Sequence, residues 1–419
     1  MSDTDSPKIG GQGADERFLT PPLLIIFVTV TIDLIGFGIV IPLLTFYAEE
    51  FRATPFDVGI LMASYSLMQF IFAPIWGNLS DRFGRRPVLF ITILGSAAGY
   101  LILGLASGLW MLYLGRILAG IMGGNLSTAQ AYVADVTTVE NRARGMGLFG
   151  MAFGLGFILG PALAGVLSKF GIAFPFYFAA ALSLINAVVL YFILPEPKHA
   201  SSHHERKKGR LKAILRAVGD KKFATIMGEY FLLVTAFSIM TTSFAYFTLF
   251  KFEYDAERTG YLLGFVGVLG VVIQGGIFGM LANKFGEARL IMAGSAILVA
   301  SLFATPFVGA GSGGLTALLV VLGMITVGNS IANPSITSLA SKVVGETEQG
   351  QALGILQSGA SLARVIGPFV CGLLLDNAVG QVDDSTIRRT YWTAAAVMLA
   401  ALLIAVHYWV SREDKRGRN

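Results

Sequence analysis

The sequence predicts an all-α integral membrane protein in which twelve transmembrane helices form two pseudo-symmetric six-helix bundles. Three observations predict this class: the composition, the number of long apolar runs and a weak internal repeat. Hydrophobic residues make up 54% of the 419 residues and charged residues only 14%, whereas a soluble domain carries about 25% charged residues. A chain of this composition is expected to lie mostly in lipid.

Twelve apolar runs are long enough to cross a bilayer as helices, since a helix needs about 20 apolar residues to span a hydrocarbon core about 30 Å thick. Strands of a membrane barrel are shorter and alternate between apolar and polar residues, which these runs do not. The predicted spans 1 to 12 cover, in order, residues 22–47, 57–76, 88–107, 110–134, 145–168, 173–194, 223–250, 259–282, 288–308, 315–340, 350–375 and 390–410.

A long polar interval divides the chain between spans 6 and 7. It begins with Pro195-Glu196-Pro197, where the prolines should end span 6, and it continues into a basic run over residues 206–216. We therefore expect an N-terminal six-helix half over residues 1–194, a cytoplasmic linker over 195–222 and a C-terminal six-helix half over 223–419.

The two halves are weak repeats of each other. The segment from Gly77 to Gly84 recurs from Gly279 to Gly286, and Gly160-Pro161 in span 5 recurs 207 residues later as Gly367-Pro368 in span 11. Repeats of this kind are typical of secondary transporters, whose substrate site lies between the repeats near the membrane midplane.

The placement of basic residues predicts the orientation. With the N-terminus in the cytoplasm, 23 of the 31 Lys and Arg residues are cytoplasmic, six lie in the outer loops and two lie within spans. We expect a multi-pass protein of the cell (inner) membrane with both termini cytoplasmic and no signal peptide, since residues 1–20 lack an apolar core. The positive-inside bias explains the net charge of +5, so no nucleic-acid partner is expected.

Several kinds of chemistry find no support in the sequence. The single cysteine, Cys371, excludes a disulfide framework, and the four histidines do not show the spacing of a metal site. No phosphate-binding loop, nucleophile elbow or kinase motif is present. We expect a protein that is not an enzyme and that uses no metal or cofactor.

Four ionisable residues lie well inside predicted spans: Asp33, Arg116, Glu229 and Arg364. Each costs about 2.5–3.5 kcal/mol at a helix centre on insertion scales, so a partner or a water-filled cavity is expected. For Asp33 the alternatives are proton coupling and a structural ion pair with an arginine of span 4 or 11.

Each of the other three residues also leaves alternatives open. Arg116 is a modulator of Asp33 or a fixed counter-ion, and Glu229 is a proton relay or an interfacial acid that faces water. Arg364 pairs with Glu229 or with Asp33, and the sequence does not choose between them.

Polar and aromatic residues of several spans are candidates for lining a cavity between the halves. Each of them also suits helix–helix packing or hydrogen bonding. A cavity rich in rings with few charges favours lipophilic or cationic molecules, because aromatic faces attract cations. The candidates are Gln69, Asn125, Phe153, Phe157, Gln274, Asn329, Asn333, Gln357 and Arg364.

The predicted loop between spans 2 and 3 carries a specific motif, G-x-L-x-D-R-x-G-R-R over residues 77–86. Together with Arg116-Ile117-Leu118-Ala119-Gly120, the glycine-rich segment over residues 156–165, and Asp33 followed by Pro42, it resembles the major facilitator superfamily. The resemblance covers about residues 20–410 and is to twelve-span drug:proton antiporters of the tetracycline-efflux and multidrug-efflux type. One departure is that Asn283 and Glu287 replace Asp81 and Arg85 in the second copy of the motif.

The resemblance implies a major facilitator fold and three groups of functional residues. The resemblance assigns proton coupling to Asp33 and Arg116, and Glu229 is the next candidate from its position inside span 7 alone. The resemblance implies that Arg85 pairs with Asp135 and that Asp81 faces the start of span 11. The cytoplasmic gate comprises Gly77, Asp81, Arg82, Gly84, Arg85, Arg86 and Asp135, and the antiporter motif comprises Gly156, Gly160, Pro161 and Gly165.

The expected function is therefore proton-coupled export of lipophilic or cationic drug-like small molecules, driven by the proton gradient, by a protein acting as a monomer in the lipid bilayer. The alternative is a transporter of a specific metabolite such as a sugar, a peptide or an organic anion. The glycine–proline pattern of span 5 favours export.

Overall fold

The computed structural model describes residues 20–137, 139–197, 220–344, 349–377 and 381–416. Within these ranges twelve helices are long and apolar enough to cross a membrane, which confirms the predicted fold class. Spans 1 to 12 are Pro21–Glu50, Pro55–Phe83, Arg85–Gly104, Leu109–Val136, Gly147–Ser168, Phe174–Ile193, Lys221–Phe252, Ala256–Phe285, Glu287–Phe307, Gly314–Val343, Ala352–Leu375 and Asp384–Tyr408. The helices of spans 5 and 11 begin earlier, at Val139 and Gln349, and the helix of span 12 continues to Arg416.

Local sequence explains where several spans begin. Span 2 starts with a capping box, in which the Thr54 side chain accepts from the Asp57 backbone N–H and the Asp57 carboxylate accepts from the Thr54 backbone N–H. Pro55 follows at the first helical position, where its missing N–H costs nothing. Span 8 starts in a similar way, because Asp255 accepts from the Arg258 backbone N–H.

The junction between spans 2 and 3 is shorter than the sequence indicates. The motif over residues 77–86 was expected to form a loop, but span 2 continues to Phe83 and span 3 begins at Arg85. Only Gly84 separates the two helices, with a φ of 99° that favours glycine. Gly286 makes the same single-residue junction between spans 8 and 9, with a φ of 77°. The helical conformation satisfies backbone groups that a ten-residue loop would leave to water.

Two spans are interrupted. In span 4 the α-helix stops at Met122 and resumes at Asn125, after the pair Gly123-Gly124. Side chains of span 2 satisfy carbonyls at this break: the Gln69 amide donates to the Gly123 carbonyl at 2.9 Å, and the Trp76 indole donates to the Ile121 carbonyl at 2.6 Å. In span 8 the residues Ile273–Ile277 form one turn of π-helix.

We call the side of the bundle where span 1 begins and span 12 ends the terminal side, and the opposite side the far side. Spans 1–6 pack together, spans 7–12 pack together, and the halves meet mainly through spans 2 and 11 and spans 5 and 8. The body of the predicted linker, residues 198–219, lies outside the described residues.

On the far side the halves touch backbone to backbone. A Cβ atom added to Gly59 of span 2 would lie 2.6 Å from the Pro368 carbonyl and 2.8 Å from the Gly372 Cα atom of span 11. A Cβ atom on Gly260 of span 8 would lie 2.7 Å from the Gly165 Cα atom of span 5. Such close approach requires glycine on both helices, as in small-residue packing motifs of membrane helices.

Toward the terminal side the same helices separate. Among the described residues, no atom lies within 4 Å of a Cβ added to Gly147 of span 5, Gly279 of span 8 or Gly354 of span 11. The described parts of the two halves are therefore in contact on the far side and separated on the terminal side.

Candidate functional site

Tyr65 of span 2 lies at the centre of a cluster of aromatic and charged side chains near the middle of the bundle. It is 6% exposed, and its ring centroid lies 5.2 Å from that of Phe37. Phe37 in turn makes an edge contact with Phe157 of span 5 at 6.0 Å. Three charged residues are within electrostatic range of the Tyr65 hydroxyl: Asp33, Arg116 and Arg364.

Asp33 is a half-buried residue of span 1, and the Asn125 side chain of span 4 lies beside its carboxyl group. Among the described residues, no Lys or Arg nitrogen lies within 4.0 Å of this carboxyl group. Tyr65 and Tyr100 are the hydroxyls within its electrostatic range. The alternative of a structural ion pair with an arginine is therefore not realised in this conformation.

Arg116 of span 4 is 2% exposed, and its guanidinium lies over the ring of Tyr65 at 4.4 Å from the centroid. Its Nε donates to the Leu61 carbonyl at 3.4 Å. A desolvated cation–π contact of this kind is worth about 2 kcal/mol. Tyr65 therefore lies next to both the arginine and the carboxyl group that were expected to interact, without a direct contact between them.

Arg364 of span 11 is half-buried and lies within electrostatic range of Tyr230 in its own half and of Tyr65 in the other half. Its Nη2 donates to the Ser361 hydroxyl at 3.3 Å. It forms no ion pair with any described residue, so neither expected partner, Glu229 or Asp33, is bound to it here.

Glu229 of span 7 is 2% exposed, which contradicts the alternative of an interfacial acid that faces water. Among the described residues, no hydrogen-bond partner reaches its buried Oε1 atom. Its role in proton coupling stays a prediction.

The remaining candidates for the cavity divide into three groups. Gln69 lies beside Tyr65, where its amide also contacts the Tyr65 hydroxyl at 3.4 Å. Gln274 instead donates to the Ser330 hydroxyl at 3.4 Å, and Phe153 packs against the hydrophobic core of the N-terminal half. The others are half-buried residues of spans 10 and 11, namely Asn329, Asn333 and Gln357.

The motif at the junction of spans 2 and 3 forms a compact ionic network. Arg85 is 3% exposed and contacts Asp81 at 2.6 Å, the Ser80 hydroxyl at 2.6 Å and Asp135 of span 4 at 2.9 Å. The ion pair of Arg85 with Asp135 is thus present, as the resemblance implies. Asp81 was also expected to face the start of span 11, where the side chains of residues 349–351 lie outside the described residues.

Sequence reasoning missed Glu196, which follows span 6 and was assigned to the linker. Its carboxylate accepts the backbone N–H groups of Arg85 and Arg86, which are otherwise unpaired at the start of span 3. A negative group at this helix end also interacts favourably with the helix dipole. The Tyr132 hydroxyl donates to the Pro195 carbonyl at 2.9 Å and fixes the same segment.

The second copy of the motif also forms an ion pair, although Asn283 stands there in the place of Asp81. Glu287, at the position of Arg85, accepts from Lys342 of span 10 and from the Ser338 hydroxyl. Lys342 lies 207 residues after Asp135, so the repeat offset found in spans 5 and 11 could have identified it. The two halves therefore carry equivalent ion pairs with the charges reversed.

The glycines of the span 5 motif serve two different contacts. An added Cβ atom would lie 2.5 Å from the Leu34 Cβ atom at Gly156 and 2.6 Å from the Gly38 Cα atom at Gly160, so both pack against span 1 directly after Asp33. Gly165 instead packs against span 8 of the other half, 2.8 Å from the Glu257 carbonyl. One helix therefore links the Asp33 region to the far-side contact between the halves.

An ion pair that the sequence did not indicate also bridges the halves on the far side. Lys169, directly after span 5, contacts Glu257 at the start of span 8 at 3.0 Å. The two side chains are 49% and 31% exposed, so the pair lies at the water-accessible surface.

Comparison with known proteins agrees with this architecture. The family model described as Major Facilitator Superfamily matches residues 26–346 and 276–419. The tetracycline resistance protein, class H, of Pasteurella multocida is 31% identical over 92% of this chain and 96% of its own. Multidrug resistance protein 2 of Bacillus subtilis (strain 168) is 30% identical over 94% of this chain and 97% of its own.

Solved structures share the fold at lower identity. The human organic anion transporter MFSD10 (TETRAN) superposes with a TM-score of 0.68 at 22% identity, covering 92% of this chain and 99% of that one. The nucleoside transporter NupG superposes with a TM-score of 0.73 at 14% identity, covering 93% and 99%. The family model, the relatives and the twelve-span architecture agree, and the chain belongs to the Major Facilitator Superfamily.

Proposed function

We propose that this protein exports lipophilic or cationic drug-like small molecules across the cell membrane in exchange for protons, with both termini in the cytoplasm. In this assignment the terminal side faces the cytoplasm and the far side faces outward. The described conformation is then inward-open, with the space between the halves accessible from the cytoplasm.

The observation that carries the proposal is the position of Asp33. Among the described residues it is the one carboxyl group within electrostatic range of Tyr65, where aromatic side chains of spans 1, 2 and 5 meet. Placing an ionised carboxyl group at this depth costs free energy, and such groups in membrane spans usually have a functional role. No described cation is paired with Asp33. A group that binds either a proton or a cationic substrate suits an exchange of the two.

The relatives support the same function. Proteins named for tetracycline resistance and multidrug resistance are about 30% identical to this chain over most of its length. The contact of span 5 with span 1 next to Asp33, and with span 8 on the far side, offers a path from protonation to closure of the outer side.

The test measures transport of tetracycline by the purified protein in proteoliposomes. Wild-type protein should accumulate tetracycline when a proton gradient is imposed, and a proton uncoupler should abolish this accumulation. Asp33→Asn resembles the permanently protonated state, so gradient-driven accumulation should be lost while exchange of tetracycline between the two sides persists.

Asp384→Asn, at the far-side surface, is the matched control and should retain gradient-driven accumulation. If Asp33→Asn accumulates tetracycline as well as the wild type does, the proton site lies elsewhere, and Glu229→Gln becomes the variant to measure. If accumulation by the wild type depends neither on the proton gradient nor on the uncoupler, proton-coupled export itself is refuted.

A further inference from the structure

The cavity cluster contains more positive than negative charge. Two guanidinium groups, Arg116 and Arg364, and one carboxyl group, Asp33, lie within electrostatic range of Tyr65. Arginine remains protonated in proteins, so both positive charges persist in every step of transport. The negative charge of Asp33 is lost whenever it takes up a proton. The cluster therefore carries an excess of one or two positive charges.

The two arginines differ in the contacts that their guanidinium groups already make within the protein. Arg116 is 2% exposed, lies on the face of Tyr65 and donates to a backbone carbonyl within its own half. Arg364 has one described hydrogen bond, from Nη2 to Ser361, although a guanidinium offers five N–H donors. It also retains partial exposure, and Tyr65 of the other half lies within its electrostatic range.

The position of Arg364 suits a ligand that bridges the halves. It lies on span 11 of the C-terminal half, yet Tyr65 of the N-terminal half is within its electrostatic range. Its helix approaches span 7 closely at Gly367, where an added Cβ atom would lie 2.5 Å from the Ser238 Cβ atom. This close packing gives the guanidinium a rigid support, as a specific anchor requires.

We propose that the Arg364 guanidinium binds an acidic group of the substrate, a carboxylate or an enolate, while the aromatic body of the substrate packs on Tyr65, Phe37 and Phe157. The inference rests on the proposed export function and narrows its substrate class to aromatic molecules that carry an acidic group. A cationic group elsewhere in the same molecule is compatible with it, since Asp33 offers a separate carboxyl group on span 1.

The chemistry of the side chain supports an anion rather than a neutral polar group. A buried charge without a counter-ion is unfavourable, and a planar guanidinium matches the two oxygens of a carboxylate. A bound acidic group would supply the counter-ion that no described residue supplies. Hydrogen bonds to charged groups contribute about 1.5–3 kcal/mol, which corresponds to a factor of roughly 10 to 150 in affinity.

The test compares two dyes that share a xanthene ring system, the anion fluorescein and the cation rhodamine 123. Binding is measured by fluorescence polarisation on purified full-length protein in lipid nanodiscs, without a proton gradient. Arg364→Gln should weaken the binding of fluorescein by roughly 10-fold to 150-fold and leave that of rhodamine 123 unchanged or stronger. Arg364→Lys keeps the charge but not the planar fork, so its affinity for fluorescein should be intermediate.

Arg388→Gln is the matched control, because Arg388 pairs with Asp384 on the far-side surface and lies outside the cavity. It should bind both dyes as the wild type does. The inference is overturned if fluorescein does not bind to the wild type, or if Arg364→Gln affects both dyes equally or neither. Since binding is measured without a gradient, failure here leaves the tetracycline transport test unaffected.

Discussion

Replacement of Gly260 by alanine should shift the protein from the conformation closed on the far side toward one that is open there. Gly260 of span 8 faces Gly165 of span 5 across the boundary between the halves. A Cβ atom at this position would lie 2.7 Å from the Gly165 Cα atom and 2.8 Å from both the Gly165 nitrogen and the Pro161 carbonyl oxygen. All three are backbone or α-carbon atoms, so no side-chain rotation can make room.

The size of the shift follows from this geometry. Ordinary contact begins at 3.4 Å, so spans 5 and 8 must separate by about 0.7 Å to accept the methyl group. Overpacking of this kind costs about 1–3 kcal/mol. The conformation open on the far side removes the contact and avoids the cost, so the ratio of the two conformations should change by about 5-fold to 150-fold.

The conformations can be distinguished by the distance between spin labels on the far side. Ser107 and Ala310 are exposed, and they lie in far-side connections of the N-terminal and C-terminal halves respectively. Both are replaced by labelled cysteine after the buried native Cys371 has been changed to serine. Pulsed electron–electron double resonance should show one dominant short distance for the labelled protein that keeps Gly260. The labelled Gly260→Ala variant should show a larger population at longer distances.

Gly279→Ala is the control in the same span, since no atom of the described residues lies within 4 Å of a Cβ added there. It should leave the distance distribution unchanged. If Gly260→Ala gives the same distribution as Gly279→Ala, the far-side contact does not limit opening and the reasoning from helix packing is refuted.

Two further predictions follow from ionic contacts. Because Lys169 and Glu257 are partly exposed, water screens the attraction between them. Lys169→Glu replaces this attraction by repulsion between two carboxylates, so it should favour far-side opening in the spin-label experiment, by less than Gly260→Ala does. The exchanged pair Lys169→Glu with Glu257→Lys should restore closure, and failure of the exchange to restore it would contradict a direct ionic contact. Glu196→Gln weakens the cap of span 3 and should reduce the free energy of unfolding by about 1 kcal/mol, measured as a lower midpoint of thermal unfolding in detergent. The exposed Glu50→Gln is its control, and equal midpoints for the two variants would exclude a capping role.

The sequence alone determined the fold class, the number of spans and the division into repeated halves. The physical reason is that lipid offers no hydrogen-bond partners, so every spanning segment must satisfy its own backbone groups, and hydrophobic length along the chain identifies it. The equivalence of the two single-glycine junctions, Gly84 and Gly286, was also visible in the sequence as a repeat. The pairing of Arg85 with Asp135 was available only through the family resemblance.

The tertiary structure alone decided which charged groups meet. Arg364 was expected to pair with Glu229 or Asp33, yet it faces the space between the halves with no carboxylate partner among the described residues. Glu196 belongs to a proline-flanked polar segment in the sequence. The fold places it against the start of span 3, which lies 111 residues earlier in the chain. Pairing depends on the rotation and relative depth of neighbouring helices. These are set by packing at contacts such as Gly59 with Gly372, and hydropathy carries no information about them.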